Sequence, residues 1–320
     1  GHGQVILTVT FNPSLDKTLF VDDLTAGDTN RIRRDETDAG GKGINLSRIA
    51  AELGAPTVAT GFLGGSAAPL IRYVMAEEGV ADAMITVAGE TRTNFSVESL
   101  NREVPPTTLN APGPTISAEE LAAFWASFDE LLLQASWVAA GGSLPPGVDP
   151  GSYAEIVRRA RRAGVPVLID ADGEPMKLAL AEGPNLIKPN GAEAGRLVGF
   201  AVSSREDAVR AAGGLVVELG RVNSGAVVII SLGADGAVLA SAEGVWFGES
   251  PDVEARSTIG AGDSLLGGVL AKRLEGLDWA EALHWGLAAG AATATTNGAE
   301  IGRLPVIESL LPSARVSHAS

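Results

Sequence analysis

The chain has 320 residues, of which 45% are hydrophobic and 40 are glycine, so it can form a sizeable core with many tight turns. A formal net charge of −15 argues against a nucleic-acid partner, because phosphate backbones are bound by basic surfaces. The sequence has no cysteine and no apolar run of about 18 residues, which excludes disulfides and thiol nucleophiles and predicts no membrane segment.

The two ends of the sequence are expected to lie outside the folded core. Gly1-His2-Gly3 is interpreted as a cloning remnant before a first strand, and not as a signal peptide. A cytoplasmic location is the default expectation. Residues 312–320 are polar and are expected to fray.

Apolar, β-rich segments alternate with helix-like segments along most of the chain. Buried strands are predicted over residues 5–10, 57–62, 137–140, 165–170, 185–188 and 227–231. Helices are predicted over residues 117–134, 150–163, 205–219 and 278–296. Continuous apolar strands separated by helices indicate an α/β fold with a mostly parallel sheet that is covered on both faces.

Two segments, residues 19–37 and 92–109, interrupt this pattern with alternating polar and apolar residues. Alternation is typical of a strand with one solvated face. Such strands do not suit a sheet that is covered on both sides. A small, separate β layer is therefore predicted.

The first of two glycine-rich turns is Ala-Gly-Gly-Lys-Gly-Ile-Asn at residues 39–45. It precedes apolar residues at helical spacing, and Gly54 is a plausible end of that helix. Lys42 is not followed by serine or threonine, and the spacer of a Walker A loop is missing. The turn predicts a helix start and excludes the common phosphate loop.

The second turn is Thr-Ile-Gly-Ala-Gly-Asp-Ser at residues 258–264. Gly260 and Gly262 leave backbone N–H groups uncovered at a helix N-terminus, where an anion is favoured. Asp263 in the first helical turn can orient a hydroxyl and take its proton during attack on a phosphoryl group. The helix N-terminus is expected to favour the charged form of Asp263. A third dinucleotide-binding glycine would fall at position 265, which is Leu265.

Six motifs follow one another along the chain. They are Asn-Pro-Ser-Leu-Asp at 12–16, Gly-Gly-Lys-Gly-Ile-Asn at 40–45, Gly-Ser-Leu-Pro-Pro-Gly at 142–147, Lys-Pro-Asn at 188–190 with Glu193, Ser-Leu-Gly at 231–233 with Gly236, and Gly-Ala-Gly-Asp at 260–263. In this order they resemble the PfkB-type, or ribokinase-like, sugar kinases. Residues 27–31, 91–94 and 109–114 are most similar to the 1-phosphofructokinase members of the phosphosugar branch.

The resemblance implies a three-layer α/β/α fold with a mostly parallel central sheet and a small β-sheet lid. It implies one kinase domain over residues 1–320, with lid segments at about residues 12–38 and 91–110. In the family the lid often forms a dimer surface. A homodimer through the lid is therefore expected, with small-molecule substrates and without nucleic-acid or membrane partners.

The resemblance also assigns roles to single residues. The catalytic base is Asp263, and the backbone of Gly260, Ala261 and Gly262 forms an anion hole. The residues assigned to the phosphosugar are Asp16, Arg31, Gly40, Gly41, Lys42, Asn45, Arg92, Asn94 and Ser143. Those assigned to the nucleotide are Lys188, Asn190, Glu193, Ser231, Gly233, Gly236 and Asn297.

ATP and Mg²⁺ are the implied cofactors, with Glu193 holding Mg²⁺ through water, and a requirement for K⁺ stays open. Asp170 and Asp172 are interpreted as turn residues at a strand exit and are left out of the site. The implied reaction phosphorylates fructose 1-phosphate. The alternatives are a tagatose-6-phosphate kinase, a 6-phosphofructokinase or a catalytically silent sugar-phosphate-binding regulator. A nucleoside kinase is disfavoured, because a neutral acceptor leaves Arg31, Lys42 and Arg92 without an anion.

Overall fold

The computed structural model describes residues 5–297 and 300–319, so the proposed remnant at Gly1-His2-Gly3 lies outside the described residues. The strands are β1 (Val5–Thr10), β2 (Ser14–Val21), β3 (Ile32–Gly40), β4 (Thr57–Leu63), β5 (Ala81–Asp82), β6 (Ile85–Thr86), β7 (Arg92–Ser99), β8 (Thr107–Leu109), β9 (Ala135–Gly141), β10 (Val167–Asp170), β11 (Leu186–Ile187), β12 (Val227–Ser231), β13 (Ala237–Ser241), β14 (Gly244–Glu249) and β15 (Arg315–His318). The helices are α1 (Lys42–Glu52), α2 (Ala68–Glu77), α3 (Ala118–Leu132), α4 (Ser152–Arg162), α5 (Gly173–Ala181), α6 (Gly191–Val198), α7 (Arg205–Gly220), α8 (Ala261–Leu274), α9 (Trp279–Ala294) and α10 (Leu304–Leu310).

The large sheet has the strand order β15-β14-β13-β12-β11-β10-β9-β1-β4-β5, and β6 also pairs with β4. Strands from β5 to β12 in this order run parallel, which confirms the mostly parallel sheet. The sequence reading missed the antiparallel edge of β13, β14 and β15. The expectation of a frayed tail is wrong for residues 315–318. Their backbone pairs with β14, and the His318 ring lies 5.0 Å from the Trp246 ring.

Most of the core lies in two layers, one on each face of the large sheet, and a smaller third cluster forms around Ile71 and Met75 of α2. Neighbouring residues of one strand belong to opposite layers. Leu7 of β1 and Val228 of β12 lie in the first layer, whereas the adjacent Ile6 and Ile229 lie in the second. The first layer is closed mainly by α3, α4 and α7, and the second by α1, α8 and α9. Because successive strand side chains point to opposite faces, this division confirms the three-layer α/β/α architecture.

The second sheet has four strands in the order β3-β2-β7-β8, which confirms the separate β layer. The alternating segments contribute to it, with a loop between β2 and β3. Its register sets Asp16 opposite both Asp38 and Asn94, so these three side chains share one face of the sheet. Within the described residues, the longest apolar helices fall short of what a bilayer crossing requires.

The carboxyl ends of the parallel strands meet at one edge of the large sheet, where β1 ends at Thr10 and β10 at Asp170. Ligands of open α/β folds bind at this edge. Helices α1 and α8 start there and pack closely. A side chain at Gly267 would overlap Ile49, so only glycine permits this approach. The close packing sets the first turns of the two helices side by side.

Candidate active site

Asp263 lies in the first turn of α8 and is buried, with 8% of its surface exposed. Asn45 of α1 donates from Nδ2 to Asp263 Oδ2 at 3.2 Å. Burial raises the pKa of Asp263, while Lys42 lowers it and Asp170 raises it. The expectation that the helix N-terminus would favour the charged form is therefore wrong in its net effect. Removing the carboxylate from water outweighs the nearby positive charge.

Lys42 lies between two carboxylates at the N-terminus of α1. Its Nζ is 3.3 Å from Asp170 Oδ2 and 3.8 Å from Asp263 Oδ1. Burial opposes the charge on Lys42, but the two carboxylates together raise its pKa above the ordinary value. Asp170, interpreted from the sequence as a turn residue outside the site, is buried beside Lys42. The available signal was its position at the end of a predicted strand.

A cavity of about 210 Å³ joins this pair to the small sheet. Residues that line it are Thr10, Asn12, Ser14, Asp16, Gly41, Lys42, Asn45, Arg92, Asn94, Gly141, Gly142, Ser143, Ile259, Gly260 and Asp263. Most residues predicted for the phosphosugar are therefore brought together in it. Gly40 packs directly against Asp16. A side chain at Gly40 would overlap the Asp16 carboxylate, so only glycine fits at this position. Burial raises the pKa of Asp16, whereas the hydrogen bond from Ser14 Oγ at 2.6 Å opposes the shift.

Arg92 forms hydrogen bonds to two backbone segments in the cavity wall opposite Asp263. Its Nη1 donates to the carbonyl of Ala111 at 2.9 Å and its Nη2 to the carbonyl of Asn12 at 3.0 Å. Asn94 Oδ1 accepts from the Ala111 amide at 2.9 Å, and Asn12 Nδ2 donates to Ser143 Oγ at 3.1 Å. Asn12 also lines the cavity, although the sequence predicts no role for it beyond its place in the motif at residues 12–16.

Two buried polar atoms in this wall have no hydrogen-bond partner among the described residues: the Oδ1 atom of Asn12 and the Nε atom of Arg92. Buried polar atoms are normally paired, and an unpaired one costs free energy. The Oδ1 atom of Asn12 packs against Gly113, where a built Cβ would lie 2.2 Å from it.

Arg31, by contrast, is not brought to the cavity. It lies exposed in the loop before β3, outside the residues that line the pocket. The neighbouring Arg33 pairs with Asp22 on the surface. The loop connects the ends of β2 and β3 at Val21 and Ile32, which are opposite to the ends at Ser14 and Gly40 beside the cavity.

The side of the site assigned to the nucleotide lies where β11 and β12 end. Lys188 Nζ donates to Ser231 Oγ at 3.5 Å, and Asn190 bridges Ser231 through the backbone. A Cβ built on Gly262 would lie 3.1 Å from Lys188 Nζ, so the glycine lets this cation approach the start of α8. Gly233 and Gly236 form the turn after β12, with φ values of 59° and 106° that favour glycine.

Glu193 and Asn190 form a reciprocal cap at the start of α6. Asn190 Oδ1 accepts from the Glu193 amide at 2.8 Å, and Glu193 Oε1 accepts from the Asn190 amide at 3.1 Å. One oxygen of Glu193 is thus engaged, and the described residues contain no cluster of three or more metal-binding side chains. Glu193 therefore offers one carboxylate for a water-mediated contact to Mg²⁺, an ion that keeps several waters and binds through substrate phosphates. Asn297 follows α9 and is partly buried.

Residues 9–306 match the model of the pfkB family carbohydrate kinases. The chain belongs to this family. It is 38% identical to the 1-phosphofructokinase of Rhodobacter capsulatus over 315 residues, which cover 97% of this chain and 96% of that protein. It is 35% identical to the 1-phosphofructokinase of Bacillus subtilis (strain 168) over 314 residues, covering 98% and 100%.

A solved structure of phosphofructokinase-2 from Escherichia coli, in complex with substrates and products, has a TM-score of 0.87 to this pfkB kinase. The two are 28% identical, and the match covers 96% of this chain and 98% of that one. The family and these relatives show that the chain is a phosphotransferase with a hydroxyl group as acceptor, a sugar kinase of the phosphofructokinase type.

Proposed function

We propose that this pfkB kinase is a 1-phosphofructokinase. It transfers the γ-phosphoryl group of ATP to the 6-hydroxyl of fructose 1-phosphate and forms fructose 1,6-bisphosphate and ADP. The observation that carries the proposal is the shared cavity. A buried carboxylate, Asp263, lies at one end of it, and the cations Lys42 and Arg92 and the carboxylate Asp16 line the rest.

Asp263 acts as the base in this proposal. Its carboxylate accepts the proton of the attacking hydroxyl as the bond between the hydroxyl oxygen and phosphorus forms and the bond to ADP breaks. The raised pKa of Asp263 makes it a stronger acceptor than an exposed aspartate. Asn45 holds one oxygen, and the other faces Lys42. These contacts fix the orientation of the carboxylate before the reaction.

The start of α8 serves as the anion hole. Gly260 precedes the helix with a φ of 76°, which a residue with a side chain rarely adopts. In this proposal the backbone N–H groups of Gly260, Ala261 and Gly262 and the helix dipole favour the charge that develops on the transferred phosphoryl group. The Ala261 N–H donates to the carbonyl of Thr258 at 3.3 Å in the structure, so it has to exchange that contact for the phosphoryl oxygen. Lys188 beside Gly262 adds a positive charge on the ADP side.

Glu193 would hold Mg²⁺ through water, and the ion would neutralise charge on the phosphates of ATP. Ser231, Gly233, Gly236 and Asn297 are assigned to the nucleotide in the same proposal. The proposal also includes activation by K⁺, because a structure of the E. coli phosphofructokinase-2 has been solved in complex with potassium. Rates in potassium and in tetramethylammonium salts at equal ionic strength test it.

The small sheet is proposed to act as a lid of a single kinase domain. Asp16 on β2 binds sugar hydroxyls, and Arg92 on β7 approaches the existing phosphate of the sugar from the same sheet. Closure over the sugar excludes water, which otherwise competes as acceptor. Lys42 and Ser143 complete the contacts to the phosphosugar from the large sheet.

The outer face of this lid supports a homodimer. By register, Ile32, Leu109, Leu19, Phe95 and Val97 lie on the face opposite to Asp16, and the first two are 53% and 58% exposed. An apolar sheet face of this kind is typical of a protein interface. Leu109→Glu should shift the molar mass from dimer towards monomer in sedimentation equilibrium. An unchanged mass would reject the lid as the interface.

The test of the activity is ADP release over a panel of ketose phosphates. Fructose 1-phosphate should give the highest kcat/KM among fructose 1-phosphate, tagatose 6-phosphate and fructose 6-phosphate. A higher value for one of the 6-phosphates would reassign the substrate. Binding of phosphosugar without ADP formation would indicate a silent regulator and reject the proposal.

A further inference from the structure

Arg48 is a fully buried cation on the helix that starts at the active site, with 1% of its side chain exposed. It lies one helical turn after Asn45. Its Nε and Nη2 donate to the two carboxylate oxygens of Glu78 at 2.8 and 3.0 Å. Its Nη1 donates to the carbonyl of Ala39 at 3.3 Å and to Asn45 Oδ1 at 3.4 Å. Burial of a charge is costly, so such a residue is kept only where its contacts are well satisfied.

The contact to Asn45 determines which way that amide faces. An amide has one accepting oxygen and one donating nitrogen, and its surroundings select the orientation. Because Oδ1 of Asn45 accepts from Arg48, Nδ2 is left to donate to Asp263 Oδ2 at 3.2 Å. The reversed amide would set its carbonyl oxygen against the carboxylate of Asp263.

We propose that Arg48 is a positioning residue, which fixes the Asn45 amide as a donor to Asp263 and ties helix α1 to the lid strand β3 through Ala39. The proposal rests on the function proposed above, since it concerns the environment of the base. The guanidinium fork is suited to this task, because it serves several acceptors in fixed directions at once.

The charged groups that face Asp263 are Lys42 from α1, Asp170 from β10 and Lys188 after β11. Burial raises the pKa of Asp263, and the hydrogen bond from Asn45 is among the contacts that lower it. Loss of Arg48 releases Asn45 to reverse its amide. The protonated form of Asp263 is then favoured, so the acidic limb of the kcat profile moves to higher pH.

The test is the pH profile of kcat for Arg48→Met with ATP and fructose 1-phosphate. The acidic limb should move up by about one unit, so that kcat below the limb falls about tenfold. Arg303→Met is the matched control. Arg303 also pairs with Glu78, at 3.2 Å, and its other polar contacts are to Glu52 and Glu300. The control should leave the limb in place even where it lowers the melting temperature.

Two further variants separate positioning from folding. Arg48→Lys keeps a positive charge for Glu78, but a lysine ammonium cannot reach Glu78, Ala39 and Asn45 at once as the guanidinium does. It should therefore shift the acidic limb in the same direction, and it replaces Arg48→Met as the test if that variant does not fold. In an Asn45→Ala background, the Arg48 substitution should cause no further shift, because the two residues act through one contact. A folded Arg48 variant with an unmoved limb overturns the proposal. A wild-type enzyme inactive on every phosphosugar instead overturns the proposed function.

Discussion

Asp263→Asn is the most direct test of the proposed chemistry. The amide has the shape of the carboxylate and keeps an oxygen to accept from Asn45 Nδ2, which lies 3.2 Å from Oδ2 in the wild type. It cannot take the proton of the acceptor hydroxyl. Loss of a general base lowers kcat by about 10²- to 10⁴-fold. This range corresponds to about 3–5 kcal/mol of the activation barrier.

The assay is steady-state ADP release with both substrates varied, together with thermal denaturation at the same pH. The KM values should change little, because the substitution leaves the proposed sugar-phosphate contacts of Asp16 and Arg92 in place. Asp129→Asn is the control, since Asp129 is an exposed partner of Arg159 at a distance from the cavity. A loss of less than tenfold in kcat for a folded Asp263→Asn variant would refute the assignment of the base.

Three further predictions concern the surroundings of the cavity. Asp38→Asn should gain stability over the wild type as pH rises from 4 to 8, by about 2 kcal/mol after allowance for partial exposure. Burial raises the pKa of Asp38 from 3.8 to about 6. The protonated side chain therefore contributes to the free energy of unfolding of the wild type below pH 3.8, and this contribution is lost as the pH rises through 6. Urea unfolding of both proteins at pH 4 and pH 8 checks this. Gly40→Ala should displace Asp16 and raise the KM for the phosphosugar about tenfold, whereas the control Gly214→Ala, with open space around its Cβ, should not. Asp170→Asn should move the acidic limb of kcat to lower pH, because Asp170 raises the pKa of Asp263, and an unmoved limb contradicts that coupling.

The α/β class, the parallel core strands and the separate small sheet could be predicted from sequence, because each depends on local hydrophobic periodicity. Strands β13 and β14 also contain apolar residues, but hydrophobic periodicity does not show whether a strand pairs parallel or antiparallel to its neighbour. Strand β15 has little apolar character of its own. It is ordered by backbone pairing with β14, which a sequence pattern does not encode.

The candidate site was predictable where glycine turns or strand ends marked it, as for Gly41, Lys42 and Asp263. Contacts between distant segments were not. The sequence suggests a turn residue at Asp170, because it does not show that the carboxylate lies 3.3 Å from Lys42 Nζ. Arg48 is not among the residues predicted for the site, because nothing local in the sequence shows that its guanidinium pairs with Glu78. The net pKa direction of Asp263 depended on burial, which only the packed fold determines.

The hydrogen bond between Asn45 and Asp263 spans 218 positions of the chain. Neither half of the molecule therefore contains the whole of the proposed reactive centre. During synthesis the centre cannot assemble until α8 has been made and has docked on α1. Recovery of turnover after dilution from denaturant should consequently report the last docking event, and fragments separated between the two helices should regain turnover only when they are recombined.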